Sequence, residues 1–448
     1  MMPLALPLMA MFLVGVCLGS AVNWATYAWA WRPRPVSPWM APPAGAEPRR
    51  FWPHRLPVVG WFALRRDAPL LGPGFWLRPL LVELSLGTAL AALYWWEVKQ
   101  FGLLRGQGHF GPGMSVPAWP LFWQMASHVV LLCLMLVASF IDIDEKIIPD
   151  EITVTGTLLG LVLATAEPMS LLPSVAERAV APVDGVAVLA GAGGQAVGPH
   201  GNPLWLEPVT AAAPGVWPPA WADPQSWQSL AVALACYWLW CFALAPRIWR
   251  GRRGAARALQ LIAARVRREL CRPPLLVLAI VGTVGIFAMW LVAGNLPGHA
   301  AASWAGLLTA LVGLVASGGI VWAVRLIGTA ALRREAMGFG DVTLMMMIGT
   351  FLGWQAGVML FFLAPFAGLL VGLAQLLFRR DQEIPYGPWL CLAAVVVVVL
   401  WAPIWNWGQP LFDVGWLVPL VLGIGLVLLG LMLAVWQAIK TLLFGRAA

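Results

Sequence analysis

Apolar runs long enough to cross a membrane recur along almost the whole chain. A helix rises about 1.5 Å per residue, so roughly 20 apolar residues span the hydrocarbon layer of a bilayer. About eleven such runs follow one another, from residues 4–30 to residues 416–438. Hydrophobic residues make up 60% of the 448 positions and charged residues only 11%, too few to cover a soluble surface. The sequence therefore predicts an all-α, polytopic membrane protein with about 8–11 transmembrane helices.

Positive charge accumulates in alternate connections between these runs. Residues 31–76 contain seven Arg, residues 247–273 contain nine, and the C-terminal tail carries Lys440 and Arg446. Lys and Arg collect on the cytoplasmic side of membrane proteins, so these loops are predicted to be cytoplasmic and the N-terminus to lie outside. The alternation requires residues 342–378 to cross twice, with a turn between positions 353 and 357.

Charge and composition divide the chain into six parts. The stretch at 167–227 is rich in Gly, Ala and Pro and nearly free of Lys and Arg, which predicts an extracytoplasmic insertion with weak structure. The parts are a first transmembrane helix (1–30), a Pro- and Arg-rich cytoplasmic loop without Cys (31–76), transmembrane helices (77–166), the insertion (167–227), transmembrane helices with the basic cytoplasmic loop 247–273 (228–330), and a last transmembrane region (331–448).

Two aspartates stand at the predicted cytoplasmic ends of apolar runs. Asp142 ends the third run, and Asp341 closes a G-F-G-D turn at the start of the eighth. A carboxylate within a span costs about 2.5–3.5 kcal/mol at the helix centre, which makes such a residue a functional candidate. Two neighbouring carboxyls can share one proton, so one acts as acid and the other as base towards a water molecule. Solvation in a loop or capping of the helix at Val342 remains an alternative.

Several other classes of protein lack their signatures here. The chain contains no H-E-x-x-H, no G-x-S-x-G and no G-x-x-x-x-G-K-[ST]. Their absence argues against a metal hydrolase, one kind of serine hydrolase and an ATP-driven pump. The six Cys form no C-x-x-C, so no metal site is expected. A basic loop between two spans is typical of a topology signal, and nucleic acid is not an expected partner.

Six short motifs resemble those of the prepilin peptidases, the type IV leader peptidases of the GxGD aspartyl protease family. One GxGD alone would be a weak signal, but six motifs in the family's order are specific. The motifs are G-S-A-V-N at 19–23, L-P-V-V-G-W-F-A-L-R at 56–65, R-P-L-L-V-E-L at 78–84, D-x-x-x-x-x-x-P-D at 142–150, E-A-M-G-F-G-D-V at 335–342 and I-P-Y-G-P at 384–388.

The resemblance implies a membrane aspartic endopeptidase. Such an enzyme cleaves the basic leader of type IV prepilins or pseudopilins at the cytoplasmic face of the bacterial inner membrane. Glycines near the site are interpreted as room for the substrate backbone, and nearby acids as contacts for the basic leader. The candidates are Asp142 and Asp341 for catalysis, Gly338, Gly340, Asp144 and Asp150 for substrate binding, and Glu83 for substrate binding or, alternatively, for packing.

The chain departs from the family in its first loop. Many members carry two C-x-x-C pairs there, whereas residues 31–76 contain no Cys, so zinc is not expected. Proteolysis by two aspartates is expected to need no cofactor. N-methylation of the new N-terminus with S-adenosylmethionine is left open. The alternatives are an intramembrane GxGD protease that acts on other membrane substrates, and a proton-coupled transporter.

Overall fold

Helices dominate the part of the chain that the structure describes. The computed structural model describes residues 4–42, 52–108, 110–179, 187–191, 194–215, 217–245, 268, 273–296, 298–332, 335–377 and 385–444. The basic loop predicted at 247–273 lies outside the described residues apart from Arg268 and Pro273, as do residues 43–51 of the predicted loop 31–76.

The prediction of an all-α, multi-pass membrane protein is confirmed. Within the described ranges, eight helices are long and apolar enough to cross a membrane, or nine if one bent pair counts as a single span. The helices are α1 (Ala5–Ala28), α2 (Val59–Leu64), α3 (Ala68–Leu71), α4 (Leu77–Tyr94), α5 (Ala118–Glu145), α6 (Asp150–Ala166), α7 (Pro219–Ala222), α8 (Trp227–Leu244), α9 (Pro273–Asn295), α10 (His299–Leu332), α11 (Phe339–Leu377), α12 (Gly387–Val399), α13 (Trp401–Asp413) and α14 (Leu417–Phe444).

Three features explain why the eleven apolar runs do not give eleven separate long helices. α6 has only 17 residues. α12 is followed by α13 at an angle of 92°. The predicted pair of runs at 342–378 forms the single element α11, whose backbone is non-helical at Gly353.

The chain folds back on itself at Gly353, the turn that the charge alternation requires. Gly353 has φ 78° and ψ 173°, a conformation that favours glycine. A Cβ on Gly349 would lie 2.7 Å from the Ser317 hydroxyl, and a Cβ on Gly357 would collide with the same hydroxyl. Residues 349 and 357 would be about 12 Å apart in a straight helix, so both can contact Ser317 only if the helix reverses between them.

The first half of α11 is the central helix of the bundle. Every residue from 341 to 353 is buried. A helix that is apolar on all faces belongs in the interior of a helical assembly. The stretch L-M-M-M-I after Asp341 has this character, and α10 and α6 pack against it. Asp341 therefore lies in the first turn of the most buried of the described membrane-spanning candidates.

The first and fourth helices contact each other closely through small residues. A Cβ on Gly15 would lie 2.6 Å from the Leu86 carbonyl oxygen, and a Cβ on Gly19 would lie 2.6 Å from Glu83 Cα. Helices in membranes gain stability from van der Waals packing, which small residues at the contact allow. The backbone of α1 therefore rests directly on α4, beside Glu83.

The prediction of weak structure in the insertion is wrong for the residues described there. Strands β1 (Pro173–Glu177), β5 (Leu204–Pro208) and β2 (Ala187–Val188) form an antiparallel sheet in the order β1-β5-β2, and β3 (Ala190–Gly191) pairs with β4 (Gly194–Gln195). Leu204 and Leu206 of β5 are fully buried. The alternation in L-W-L-E is the strand signal that the overall composition concealed.

The insertion is anchored on the turn at Gly353. Trp354 Nε1 donates to the Ala211 carbonyl at 2.9 Å, and Gln355 Nε2 donates to the carbonyls of Thr210 and Ala213 at 2.8 and 3.1 Å. The two ends of the bundle are thereby distinguished. The insertion covers the end at Gly353, and the opposite end carries Asp142 and Asp341.

Candidate active site

Asp142 lies in the last turn of α5. Its side chain is only 4% exposed. The helix stops at Lys146, which takes a left-handed conformation with φ 57° and donates its N–H to the Asp142 carbonyl at 2.8 Å. The chain then turns through buried Ile148, and α6 begins at Asp150. The D-x-x-x-x-x-x-P-D motif is therefore a helix end, a tight turn and a new helix start.

Asp341 lies in the first turn of α11. It is the third residue of the helix and is 7% exposed. Its carboxylate lies beside the Gly338 N–H. The side chain therefore stays near the start of its own helix. The alternative that Asp341 caps a helix beginning at Val342 is therefore wrong, because the helix begins at Phe339 and already includes Asp341.

The two aspartates meet at one end of the bundle. Asp341 interacts electrostatically with Asp142, and the Cys391 thiol of α12 lies within electrostatic range of both carboxylates. The Asp142 carboxylate lies beside the Gly387 N–H, and its Oδ2 is buried without a hydrogen-bond partner in the structure. The ends of two distant helices therefore converge, with the start of α12 as a third wall, and the pairing of the two carboxyls as a catalytic dyad stays a prediction.

Tyr386 precedes α12 and contributes to that wall. Burial, followed by the nearby Asp341 carboxylate, raises the pKa of the Tyr386 phenol to about 12. The phenol therefore stays protonated at neutral pH and can donate a hydrogen bond. Tyr386 and Gly387 belong to the I-P-Y-G-P motif. The sequence indicates no role for this motif, and the structure places it beside the two aspartates.

Two glycines let the three segments converge on Ile148. A Cβ on Gly340 would lie 3.0 Å from Ile148 Cβ. A Cβ on Gly387 would lie 3.1 Å from Ile148 Cδ1 and 2.5 Å from Asp142 Oδ2. Gly340 thus makes room for a neighbour within the chain, whereas Gly338 is exposed and faces Asp341.

The other acidic candidates have different surroundings. Asp144 accepts two hydrogen bonds of 2.8 Å from Arg78 and lies 3.9 Å from Arg34. Asp150 is exposed at the first position of α6. Of these two acids, Asp150 is the more available to a ligand, because the Asp144 carboxylate is already occupied by arginine.

Glu83 joins α4, α1 and the first loop. Its side chain is completely buried, and it accepts from the Val58 N–H at 2.5 Å and from Asn23 Nδ2 at 3.4 Å. Asn23 also donates to the Pro79 carbonyl at 2.9 Å. Three of the six sequence motifs therefore meet at this carboxylate. Its contacts favour the packing alternative over substrate binding.

Removing this carboxylate is expected to destabilise the protein. In Glu83→Ala, the partly buried Val58 N–H and the buried Asn23 amide lose their acceptor, which costs about 1–3 kcal/mol of unfolding free energy. Thermal unfolding in detergent micelles measures this loss. Glu151→Ala, at an exposed position of α6, serves as the control and should change stability by no more than about 0.5 kcal/mol. Equal melting temperatures for the two variants would contradict a structural role for Glu83.

No metal centre is found in the part of the chain that the structure describes. Groups of three or more His, Cys, Asp or Glu side chains with metal-binding geometry are absent there. The expectations about zinc and S-adenosylmethionine stay predictions.

Comparison with known proteins finds a partial match to one family and to several of its relatives. The sequence model of the type IV leader peptidase family matches residues 129–193 and 267–373, which include Asp142 and Asp341. A "Prepilin leader peptidase/N-methyltransferase" of Stutzerimonas stutzeri is 31% identical over 183 residues, which cover 36% of this chain and 55% of the relative. Proteins of the same name from Myxococcus xanthus and Aeromonas hydrophila are both 29% identical, over 35% and 22% of this chain and 41% and 34% of their own length.

The matched region is partial on both sides. The chain spans about a third of the length of the Aeromonas relatives and 55% of the Stutzerimonas relative. No solved structure matches the protein. The resemblance predicted from the six motifs is nevertheless confirmed, because both aspartate-bearing segments lie inside the family match.

Proposed function

We propose that this protein is a membrane aspartic endopeptidase that cleaves type IV prepilins or pseudopilins. The observation that carries the proposal is the meeting of two buried carboxylates, Asp142 and Asp341, at one end of a helical bundle. Both segments match the type IV leader peptidase family, and similar proteins are named prepilin leader peptidases. The excess of Arg in the connections at this end supports a cytoplasmic site on the bacterial inner membrane.

The paired acids suit hydrolysis by an activated water. The two carboxyls share one proton, because like charges at close range do not both ionise. The ionised carboxylate takes a proton from water as the oxygen attacks the peptide carbonyl. The protonated carboxyl first donates to the carbonyl oxygen, and the proton gained from water later passes to the leaving amine. The N–H groups of Gly338 and Gly387 lie beside the two carboxylates.

The position of the site matches the form of a prepilin. A basic leader joined to an apolar helix places its junction at the membrane boundary, where both aspartates stand at helix ends. Asp150 is the exposed acid that contacts the leader in this proposal. Asp144 and Glu145 contribute less, because Arg78 occupies the first and the N–H groups of Trp31 and Arg32 occupy the second.

The test is cleavage of a purified type IV prepilin by the protein in proteoliposomes. Mass spectrometry is expected to show loss of the leader at the start of the apolar helix, and membranes without the protein are the control. An intact prepilin would contradict the proposal. Equal cleavage of an unrelated single-span protein would instead favour the alternative of an intramembrane protease with broader substrates.

The same spectrum addresses the cofactor. We propose that proteolysis proceeds without zinc or any other cofactor, so the chelator EDTA should leave the rate unchanged. A methyl increment on the mature N-terminus only when S-adenosylmethionine is added would establish the second activity. An unmodified N-terminus in its presence would limit the protein to proteolysis.

A further inference from the structure

Arg78, the second residue of α4, contacts the end of α5 on both sides of Asp142 in the sequence. Its NH1 donates to both carboxylate oxygens of Asp144 at 2.8 Å, and its NH2 donates to the Phe140 carbonyl at 3.4 Å. The guanidinium also lies over the Phe140 ring, 4.8 Å from the centroid. Phe140 and Asp144 are one helical turn apart and share a face, so Asp142 between them projects from the opposite face.

Arg325 of α10 makes equivalent contacts with the segment that leads into Asp341. Its Nε donates to the Met337 carbonyl at 2.9 Å, and its NH2 pairs with Glu335 at 2.5 Å. Its guanidinium lies 5.5 Å from the centre of the Phe339 ring. The arginine therefore contacts residues 335, 337 and 339, which lead into the start of α11, and Asp341 follows two residues after the last of them.

We propose that Arg78 and Arg325 are paired positioning residues that hold the two aspartates at reacting distance without neutralising them. Each guanidinium uses the same three kinds of contact: a carboxylate, a main-chain carbonyl and an aromatic face. Among the described ion pairs, their charges are compensated by Asp144 and Glu335, and neither arginine pairs with Asp142 or Asp341. The dyad thus gains a fixed geometry and keeps its shared proton.

This arrangement gives Asp144 a role other than the substrate contact that the sequence suggested, and it gives Glu335 a first role. Through its ion pair with Arg78, Asp144 fixes the end of α5 to α4. Glu335, the glutamate of the E-A-M-G-F-G-D-V motif, fixes the glycine turn to α10 through its ion pair with Arg325. Only arginine offers several donors in one plane together with a face that stacks on an aromatic ring, so lysine cannot reproduce the full set of contacts.

The test compares Arg78→Gln and Arg325→Gln with Arg178→Gln in the prepilin cleavage assay, and it rests on the proposed function. Arg178 is the matched control, because it makes a bidentate pair with Glu207 but lies on the insertion at the other end of the bundle. A displacement of the dyad lowers the chemical step, so kcat should fall at least about 10-fold with KM within about 2-fold. Arg178→Gln should match the wild type.

Further variants separate positioning from simple stability. Arg78→Lys keeps a positive charge beside Asp144 and should recover part of kcat. If Arg78→Gln does not accumulate in the membrane, Arg78→Lys is assayed in its place. The double variant Asp144→Asn/Arg78→Gln should lose no more kcat than Arg78→Gln alone, because both substitutions remove the same contact between Arg78 and Asp144. Combining Arg78→Gln with Arg325→Gln should multiply the two losses, because the segments are separate.

Two results would overturn the positioning role. One is an unchanged kcat in Arg78→Gln and Arg325→Gln while both variants melt like the control. The other is a rise in KM at constant kcat, which would make the arginines substrate contacts. If the wild type and Arg178→Gln themselves fail to cleave, the proposed function fails, and the two failures are thereby distinguished.

Discussion

Replacing Asp142 or Asp341 by asparagine is expected to lower prepilin cleavage by a factor of about 10³ or more. Asparagine has the same shape, and its amide oxygen can take the place of a carboxylate oxygen beside the N–H of Gly387 or Gly338. It can neither take a proton from water nor share one with its partner. The loss should therefore appear in kcat, while thermal stability stays close to that of the wild type.

The two substitutions act on one unit, so their effects should not add. The double variant Asp142→Asn/Asp341→Asn is expected to be about as inactive as either single variant. Asp413→Asn, an exposed position at the end of α13, is the control and should cleave normally. Asp150→Asn should raise KM for a basic leader and leave kcat nearly unchanged. Wild-type turnover in either dyad variant would exclude the mechanism.

Gly387→Ala is expected to reduce kcat by about 10²-fold with little loss of stability. The added methyl group would lie 2.5 Å from Asp142 Oδ2 and 3.1 Å from Ile148 Cδ1. Contacts between a methyl group and an oxygen at 2.5 Å do not persist, so the carboxylate must move. A displacement of about 1 Å at a reacting group is sufficient for a loss of this size.

The backbone at this position gives no reason for instability. Gly387 begins α12, and alanine is the better helix former. Gly425→Ala is the matched control, because a Cβ there meets no atom within 4 Å in α14. The two variants should therefore differ in cleavage rate and not in melting temperature. A Gly387→Ala protein with more than half of the wild-type kcat would show that this contact does not position Asp142.

Local patterns predicted part of this protein correctly. The apolar runs gave the membrane helices, and the alternation of charge required the reversal found at Gly353. The expectation for the insertion failed, because composition averages over residues and hides the alternating strand at 204–208. The role given to Asp144 also changed, since its partner Arg78 lies 66 residues away. No local pattern reports a contact at that separation.

The sequence by itself determined the class of protein, because hydropathy and charge are properties of each segment alone. Together with the six motifs it also singled out Asp142 and Asp341. Only the tertiary structure decided what surrounds them: Gly387 against the Asp142 carboxylate, Tyr386 beside Asp341, and an arginine behind each aspartate. These contacts join helices that are distant in the chain, and their consequences depend on ångström-scale distances that exist only after the helices have packed.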